Sequence, residues 1–226
     1  MKPARTESTA RSRSVKIVIV DDHPIVRERL AEVIRAEPDL VVCGEADSRS
    51  QAVAVIEDTA PDLLIVDLTL KDSSGLELIK DVQARAPRTM VLVVSMHDEA
   101  LFAERCLRAG ARGYLTKQEA SRKVLTAIRK VLAGEVYLSE AIAQKVLGQV
   151  AGRPTPGEVR PLATLSDREL EVLGLLGHGL STRQIAERLH LDSKTVETYR
   201  MRIKLKLGLD DANALLQYAI QWVRSS

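Results

Sequence analysis

Four short apolar runs of this chain each lead into a residue that could take part in phosphoryl chemistry. Asp21 and Asp22 follow KIVIV, Asp67 follows DLLIV, Ser95 follows MVLVV and Lys117 follows GYLT. Carboxylates in such a group would bind a hard divalent cation such as Mg²⁺, which prefers oxygen ligands. A hydroxyl and an ammonium group would bind phosphoryl oxygens, and a carboxylate would attack phosphorus as the nucleophile. These residue types indicate phosphorylation of a carboxylate, provided that the fold brings them together.

The runs themselves predict the elements that position these residues. They are rich in Val, Ile and Leu and alternate with helical patterns, as does a further run, LVVCGEA at 40–46. This alternation is typical of an α/β fold with a five-stranded, parallel, doubly wound sheet of the flavodoxin-like type. Ligands of such sheets bind beyond the carboxyl ends of the strands, so the five side chains should converge there. The alternative is that Asp21 and Asp22 only cap a helix and that Lys117 only pairs with Asp67. The placement of all five residues at strand ends disfavours it.

Composition is that of a soluble globular protein. The chain has 226 residues, of which 45% are hydrophobic and 28% charged, and its formal net charge of +2 neither requires nor excludes nucleic acid. Cys43 and Cys106 lie in ordinary apolar contexts and are expected to be free thiols. Because no apolar run approaches the ~18–20 residues of a membrane span, we expect a cytoplasmic protein with no membrane partner.

Four segments follow from the changes of pattern along the chain. Residues 1–14 are polar and basic and are predicted to be a disordered lead-in, and 15–134 form the α/β domain. Residues 135–163 contain a predicted amphipathic helix, YLSEAIAQKVLGQV, and a Pro/Gly-rich linker, AGRPTPGEVRPLA. Residues 164–226 show helical patterns only.

Over about residues 15–134 the chain resembles the receiver domain of two-component response regulators. The resemblance implies that Asp67 is the phosphoacceptor, which becomes an aspartyl phosphate, and that Ser95 and Lys117 bind the phosphoryl group. It also implies that Ser95 and Tyr114 form a switch pair, in which the aromatic ring turns inward when the hydroxyl moves. The Mg²⁺ ligands that it implies are Asp21 (commonly through water), Asp22, Asp67 and the backbone carbonyl of Thr69.

One position departs from the receiver pattern, and two others resist assignment. Lys71 stands where the family usually has proline, four residues after the acceptor, so the shape of this loop is not implied by the resemblance. Thr69 and His97 occupy positions that tune dephosphorylation, and we expect His97 to face solvent rather than to bind a metal. The four histidines of the chain show no zinc-type spacing.

The sequence LSTRQIAERLHLDSKTVETYRMRIKLKLGL predicts a helix, a tight turn and a second helix. Capping-box spacing at Ser166 and Ser181 marks two helix starts, and further helices should begin near Ser193 and Asp210. Between residues 194 and 206 there are five basic residues against one acid. A helix that lies in the major groove of DNA needs such basic flanks for phosphates and a central face for base edges.

Over about residues 162–226 the chain resembles the LuxR-type DNA-binding domain, and with the receiver it resembles a NarL/FixJ-type response regulator. The resemblance implies phosphate contacts by one group of side chains and base contacts by another, with a dimerisation role for the last helix. Ala212 stands where arginine is common before that helix. The implied phosphate contacts include Ser193, Thr195, Tyr199 and Lys204, and the base-facing residues are Glu197, Thr198 and Met201. Further implied DNA-binding positions are Ser181, Lys194, Val196 and Arg200, and the implied dimer contacts are Asn213, Leu216, Gln217 and Ile220.

These features together predict a transcription regulator that a sensor histidine kinase switches by phosphorylating Asp67. The phosphorylated form is expected to be a homodimer that binds paired half-sites in double-stranded DNA, with no enzymatic activity beyond its own phosphoryl transfer and dephosphorylation. Two alternatives stay open. One is a phosphorylation-independent DNA-binding regulator whose receiver only dimerises. The other is a Mg²⁺-dependent aspartyl phosphohydrolase, against which Thr69 stands where a second acid would serve the leaving group.

Overall fold

The computed structural model describes residues 14–71, 73–97, 99–144, 162 and 164–225. Its N-terminal part alternates five strands with five helices, as the Val-, Ile- and Leu-rich runs predict. Most residues of β1, β3 and β4 are fully buried, as expected for strands that carry helices on both faces. The elements are β1 (Val15–Val20), α1 (Pro24–Arg35), β2 (Leu40–Ala46), α2 (Arg49–Thr59), β3 (Leu63–Val66), α3 (Gly75–Arg85), β4 (Met90–Ser95), α4 (Glu99–Ala109), β5 (Gly113–Thr116) and α5 (Lys117–Leu132).

The strands form one parallel sheet in the order β2-β1-β3-β4-β5, which confirms the predicted doubly wound fold. Alternate residues of a strand point to opposite faces. Ile17 and Ile19 therefore pack in a cluster with α1 and α5, whereas Val18 and Val20 pack with α2, α3 and α4. The order places the ends of β1, β3, β4 and β5 side by side.

The C-terminal part consists of four helices whose starts carry local signals. Ser166 and Ser181 each form a full capping box, with Glu169 and Gln184 respectively, as the spacing predicts. Asp192 caps the next helix by accepting from the backbone N–H of Thr195 at 2.7 Å. These helices are α6 (Asp167–Gly177), α7 (Thr182–Arg188), α8 (Ser193–Leu207) and α9 (Ala212–Ser225).

The two parts share one apolar cluster. The core on the α2, α3 and α4 side of the sheet continues into the C-terminal helices, where it includes Leu165 and Leu170. Arg105 on α4 donates to the backbone carbonyls of Leu162 and Leu165 and to the carboxylate of Asp167. The C-terminal helices therefore dock directly on the α/β domain.

The segment after α5 differs in part from the prediction. Tyr137 is extended and pairs with Gly113 at the end of the sheet, where its carbonyl accepts from the N–H of Tyr114 at 2.8 Å. Helix begins only at residue 140, so the expected helical start at Tyr137 is wrong, since its backbone hydrogen bonds go to the strand. The rest of the expected helix, most of the linker and the lead-in at 1–13 lie outside the described residues.

Two further expectations concern the cysteines and the membrane. Cys43 and Cys106 are free thiols, as expected. Burial raises the pKa of the Cys106 thiol far above its usual range, so this thiol is unreactive. Within the part of the chain that the structure describes, no helix is long and apolar enough to cross a membrane.

Candidate functional site

The predicted strand-end residues meet in one buried pocket at the carboxyl edge of the sheet. Asp21 follows β1, Asp67 follows β3, Ser95 ends β4 and Lys117 opens α5 directly after β5. Each carboxylate is buried, as is the Ser95 side chain. The sheet order thus brings together residues that are as much as 96 positions apart in the sequence, as the interpretation of the apolar runs required.

Lys117 is the cation of the pocket. Its Nζ lies 2.6 Å from Asp21 Oδ2 and 2.7 Å from Asp67 Oδ2. Burial works to lower the pKa of Lys117, but the negative charges of Asp67 and Asp21 outweigh it and raise that pKa. The ammonium group is therefore charged at neutral pH and holds the two carboxylates beside each other.

Crowding of the carboxylates disfavours the ionised form of Asp21. Burial and repulsion from Asp67 raise the pKa of the Asp21 carboxyl, although Lys117 and the His23 backbone N–H oppose the rise. That N–H donates to Asp21 Oδ1 at 2.8 Å. Ionisation of Asp21 in the folded pocket is therefore unfavourable.

The loop after Asp67 wraps closely around the acceptor. The Leu68 N–H donates to Asp67 Oδ1 at 2.6 Å, and the Gly75 N–H donates to the Leu68 carbonyl at 2.7 Å. A Cβ on Gly75 would lie 2.0 Å from the Asp67 carbonyl oxygen, so only glycine fits here. Lys71 lies in the loop whose shape the family resemblance did not imply. Its Nζ pairs with Asp47 at 2.5 Å and thereby ties the loop to the end of β2.

The pocket suits a hard divalent cation. Ligand atoms of Asp21, Asp22, His23 and Asp67 all lie within 4.8 Å of one another. Asp22 Oδ1 is buried without a hydrogen bond from any described residue, although His23 Nδ1 lies 2.5 Å away in poor alignment. An unsatisfied buried carboxylate oxygen among other carboxylates is the donor set that Mg²⁺ prefers.

The residues of the implied switch pair are both buried. Ser95 Oγ accepts weakly from the His97 N–H at 3.4 Å. Tyr114 is 1% exposed, and its hydroxyl donates to the His97 carbonyl at 2.9 Å. The ring of Tyr114 is therefore turned inward in this structure.

The expectation that His97 faces solvent is wrong. His97 is 9% exposed, and its Nε2 lies 3.1 Å from Thr69 Oγ1 and 3.1 Å from Glu171 Oε1, while its ring packs on Phe102. Glu171 belongs to α6, and the docked C-terminal helices cover this side of the pocket. Burial alone would raise the pKa of Glu171, but hydrogen bonding and charge from His97 and Arg168 lower it.

A second contact reaches the pocket from the turn between α7 and α8, where His190 Nε2 lies 2.7 Å from Asp22 Oδ2. Away from the pocket, Lys80 and Arg105 of the receiver both pair with Asp167 on α6. Sequence reasoning missed these contacts. Glu171 carried one usable signal, because a carboxylate within LEVLGLLG must find a buried partner.

Helix α8 presents the predicted DNA-facing residues on its outer side. Val196 and Ile203 are fully buried in the domain core, so the Val196 side chain is not at the surface. Met201 is 52% exposed, and Glu197 is exposed and pairs with Arg200 at 2.9 Å. The remaining predicted DNA-facing positions are exposed or half-buried, namely Ser181, Ser193, Lys194, Thr195, Thr198, Tyr199 and Lys204.

Helix α9 packs on α6 through one face and leaves the other open. Leu215 and Ala219 are buried. The Asp211 carboxylate accepts from the Ala214 N–H at 2.8 Å and so caps this helix next to Ala212. The predicted dimer contacts lie on the open side, with Asn213, Leu216 and Gln217 exposed and Ile220 half-buried.

Comparison with known proteins matches two segments of the chain to two family models. The family model described as response regulator receiver domain matches residues 17–129. The family model described as bacterial regulatory proteins, luxR family, matches residues 163–219.

Relatives match along nearly the whole length. The DNA-binding transcriptional activator DevR/DosR of Mycobacterium tuberculosis is 35% identical over 213 residues, which cover 93% of this chain and 96% of the relative. The oxygen regulatory protein NreC of Staphylococcus aureus is 32% identical over 211 residues, which cover 92% and 97%. The structure of RcsB from Salmonella enterica serovar Typhimurium, bound to promoter rprA in the presence of the phosphomimetic BeF₃⁻, is similar with a TM-score of 0.61 at 25% identity. That similarity covers 92% of this chain and 98% of the RcsB chain.

Proposed function

Because the chain belongs to the response regulators that join a receiver domain to a LuxR-family DNA-binding domain, we propose that a partner histidine kinase switches its binding to DNA by phosphorylating Asp67. The observation that carries the proposal is the position of Lys117, whose Nζ reaches both Asp67 and Asp21. Phosphorylation-switched regulation is the norm of this family. We propose the domain limits 15–134 and 164–226, with 1–14 as lead-in and 135–163 as helix and linker.

In the proposed reaction an Asp67 oxygen attacks the phosphorus of a phosphohistidine on the kinase. An O–P bond forms, the N–P bond breaks, and the imidazole leaves with the electron pair. Asp21, Asp22, Asp67 and the Thr69 carbonyl would hold Mg²⁺, which supplies neutralisation of charge on the phosphoryl oxygens when bound. Lys117 then pairs with one phosphoryl oxygen.

The switch that we propose follows from new contacts at the phosphoryl group. The Ser95 hydroxyl donates to a phosphoryl oxygen and so leaves the His97 N–H, and the ring of Tyr114, which is already turned inward, stays packed beside it. Such contacts exist only in the phosphorylated form, so they shift the population of two receiver states. The shifted state dimerises, and two copies of the DNA-binding domain then bind paired half-sites.

In the proposed complex with DNA, α8 lies in the major groove. Ser193, Thr195, Tyr199 and Lys204 contact phosphates, which fix the position of the helix. Glu197 accepts from a cytosine amino group, and Thr198 and Met201 contact base edges. The supporting positions are Ser181, Lys194 and Arg200, and the dimer contacts through α9 are Asn213, Leu216, Gln217 and Ile220. Because its target is chromosomal DNA, we propose that the protein acts in the cytoplasm.

The proposal is tested with the full chain. DNA sites are first selected from a random pool by protein treated with a small acyl phosphate and Mg²⁺, and Kd is then measured with and without the phosphodonor. We expect the phosphodonor to tighten binding by tenfold or more in the wild type and to have no effect on Asp67→Asn. Equal Kd values in the wild type, with Asp67 shown by intact mass to be phosphorylated, would contradict the switch and favour a phosphorylation-independent regulator.

The same selection separates base contacts from phosphate contacts. Substitution of Glu197 or Met201 by alanine should change the selected sequence, since these side chains face the bases. Lys204→Ala should weaken binding to all sequences alike and reduce the slope of log Kd against log salt by about one phosphate contact. An unchanged selected sequence in the Glu197 and Met201 variants would move base recognition to other residues.

We propose no enzymatic activity beyond phosphoryl transfer to and from Asp67. The relatives are transcription regulators, which supports a regulator over a phosphohydrolase. The rate of phosphate release from a small phosphodonor should not exceed the rate at which the aspartyl phosphate forms and hydrolyses. Steady turnover of a small phosphomonoester would contradict this proposal.

A further inference from the structure

The DNA-binding domain reaches into the acid pocket of the receiver with one side chain, His190. This residue lies in the turn between α7 and α8, and its Nε2 is 2.7 Å from Asp22 Oδ2. The Asp22 side chain is only 2% exposed. His190 of the DNA-binding domain thus contacts a buried carboxylate of the receiver.

The backbone of His190 is in the left-handed region, with φ of 52°, which non-glycine residues rarely adopt. Such a conformation persists where the surrounding structure fixes it, and it is often associated with a functional contact. The hydrogen bond from the Leu191 N–H to the Ala186 carbonyl at 2.9 Å closes the turn behind His190. The turn therefore presents the imidazole to the receiver.

A second contact clamps the opposite side of the pocket. Glu171 of α6 accepts from Thr69 Oγ1 at 3.2 Å and lies 3.1 Å from His97 Nε2. Thr69 belongs to the loop after Asp67, whereas Asp22 belongs to the loop after β1. The docked domain thus touches both loops that supply the proposed Mg²⁺ ligands.

Docking leaves the DNA-facing side of α8 open. Glu197 and Met201 are exposed in the docked arrangement, and so is Asn213 on α9. The polar contacts with the receiver include those of α6, of the turn at His190 and of the backbone carbonyls of Leu162 and Leu165 before α6. Docking in this form restricts the phosphorylation pocket rather than the DNA-binding face.

We propose that the docked DNA-binding domain competes with the divalent cation for the Asp22 carboxylate, so that cation binding and domain docking weaken each other. His190 holds Oδ2 of the Asp22 carboxylate and so fixes the orientation of the group whose Oδ1 the cation would bind, and Glu171 fixes the loop that carries Thr69. The inference rests on the metal site of the proposed function. Because coupling between two sites is reciprocal, the factor by which docking weakens Mg²⁺ binding is the factor by which Mg²⁺ weakens docking.

The experiment is a Mg²⁺ titration of the unphosphorylated full chain by calorimetry, with the domain separation followed by small-angle scattering. His190→Gly removes the imidazole and suits the left-handed backbone, so the turn should keep its shape. We expect at least about fivefold tighter Mg²⁺ binding in His190→Gly, which is the lower end of typical coupling between sites. Mg²⁺ alone should enlarge the radius of gyration of the wild type, but not of Asp22→Asn.

Two further variants separate docking from a local effect. Glu171→Gln weakens docking without touching Asp22, and it should also tighten Mg²⁺ binding. Arg183→Ala changes an exposed residue of α7 and should bind Mg²⁺ as the wild type does. Tighter binding in Glu171→Gln together with His190→Gly supports competition by the whole docked domain. Tighter binding in Arg183→Ala to the same extent would overturn it, because Arg183 makes no contact with the pocket.

The remaining outcomes also decide. Equal Mg²⁺ affinity in the wild type and His190→Gly overturns the competition, and so does tighter binding without any change of scattering on addition of Mg²⁺. A separate measurement of Asp67 phosphorylation by intact mass distinguishes the two levels of the argument. If Asp67 is phosphorylated but His190→Gly leaves Mg²⁺ affinity unchanged, only this inference fails. If Asp67 is not phosphorylated in either protein, the proposed function fails.

Discussion

Asp21 in the receiver and Glu169 in the DNA-binding domain are both buried carboxylates, yet their surroundings shift their pKa values in opposite directions. Burial and the neighbouring Asp67 raise the pKa of Asp21. Burial would also raise the pKa of Glu169, but hydrogen bonds from Lys206 and from Ser166 lower it. Glu169 Oε2 lies 2.6 Å from Lys206 Nζ and 2.7 Å from the Ser166 N–H.

The difference shows what each carboxylate is for. Glu169 completes a capping box and an ion pair, so its charge stabilises the fold. Asp21 shares one lysine with Asp67, so its charge is kept at the expense of stability. Carboxylates that are crowded without enough partners are expected where a cation or a phosphoryl group binds, and this contrast can be tested residue by residue.

The largest effect should come from removal of the pocket cation. Lys117→Met leaves Asp21 and Asp67 buried without their shared partner, and loss of one partner from a buried pair costs about 3 kcal/mol. The free energy of unfolding is measured in urea without Mg²⁺, by far-UV circular dichroism. Lys206→Met is the matched control, because Lys206 is 38% exposed and should cost about 1 kcal/mol. A Lys117 variant as stable as the wild type would mean that the carboxylates are not both ionised.

The next effect concerns Glu169. Glu169→Ala removes half of a capping box and the partner of Lys206, and we expect a loss of about 2 kcal/mol from the DNA-binding domain. Trp222, the single tryptophan of the chain, lies on α9 and reports unfolding of this domain by fluorescence. Glu169→Gln can keep the cap and should cost about half as much. Equal costs for both variants would assign the whole effect to the charge.

Acidification should reproduce the Glu169 effect. The folded-state pKa of Glu169 lies below the ordinary value of 4.5, so its contribution is complete above that pH and is lost as pH falls through the folded pKa. For Asp21 the sign is reversed: its penalty is present above its raised folded pKa and is relieved as pH falls below it. The free energy of unfolding of the DNA-binding domain, followed by Trp222 fluorescence, decreases on acidification. This decrease should therefore be smaller in Glu169→Gln than in the wild type.

A smaller effect of opposite sign is expected at Asp21. Asp21→Asn removes one of the crowded charges, which burial and Asp67 disfavour, and should stabilise the receiver by about 1 kcal/mol. Asp58→Asn, on the exposed side of α2, is the control and should leave stability unchanged. The measurement is again urea unfolding followed by circular dichroism. Destabilisation by Asp21→Asn would show that the Lys117 pair outweighs the crowding.

Features that carry local sequence signals could be predicted, whereas contacts between the two domains could not. The strand-end residues and the caps at Ser166 and Ser181 carry local signals, namely short apolar runs and capping-box spacing. The contacts between the domains do not, since Glu171 meets Thr69 across 102 positions and His190 meets Asp22 across 168. The resemblance to the receiver family led us to expect His97 at the surface, as a residue that tunes dephosphorylation. Glu171 of the docked α6, 74 positions away along the chain, contacts its ring nitrogen.

The smallest effect tests the one loop that the resemblance left open. Lys71 pairs with Asp47, but the lysine side chain is 54% exposed, so solvent screens the pair. Lys71→Ala should therefore change the free energy of unfolding by less than about 0.5 kcal/mol, as for other exposed pairs. The hydrogen bond of Lys71 through its own backbone N–H to the Asp47 carbonyl survives the substitution. The free energies of unfolding of Lys71→Ala and Lys117→Met in urea then compare two lysines that pair with aspartates. The Lys71 side chain is exposed, whereas the Lys117 side chain is buried. Equal losses of unfolding free energy in Lys71→Ala and Lys117→Met would show that burial does not set the effect of removing a lysine from its aspartate partner. The opposite pKa shifts of Asp21 and Glu169 would then need a cause other than their buried surroundings.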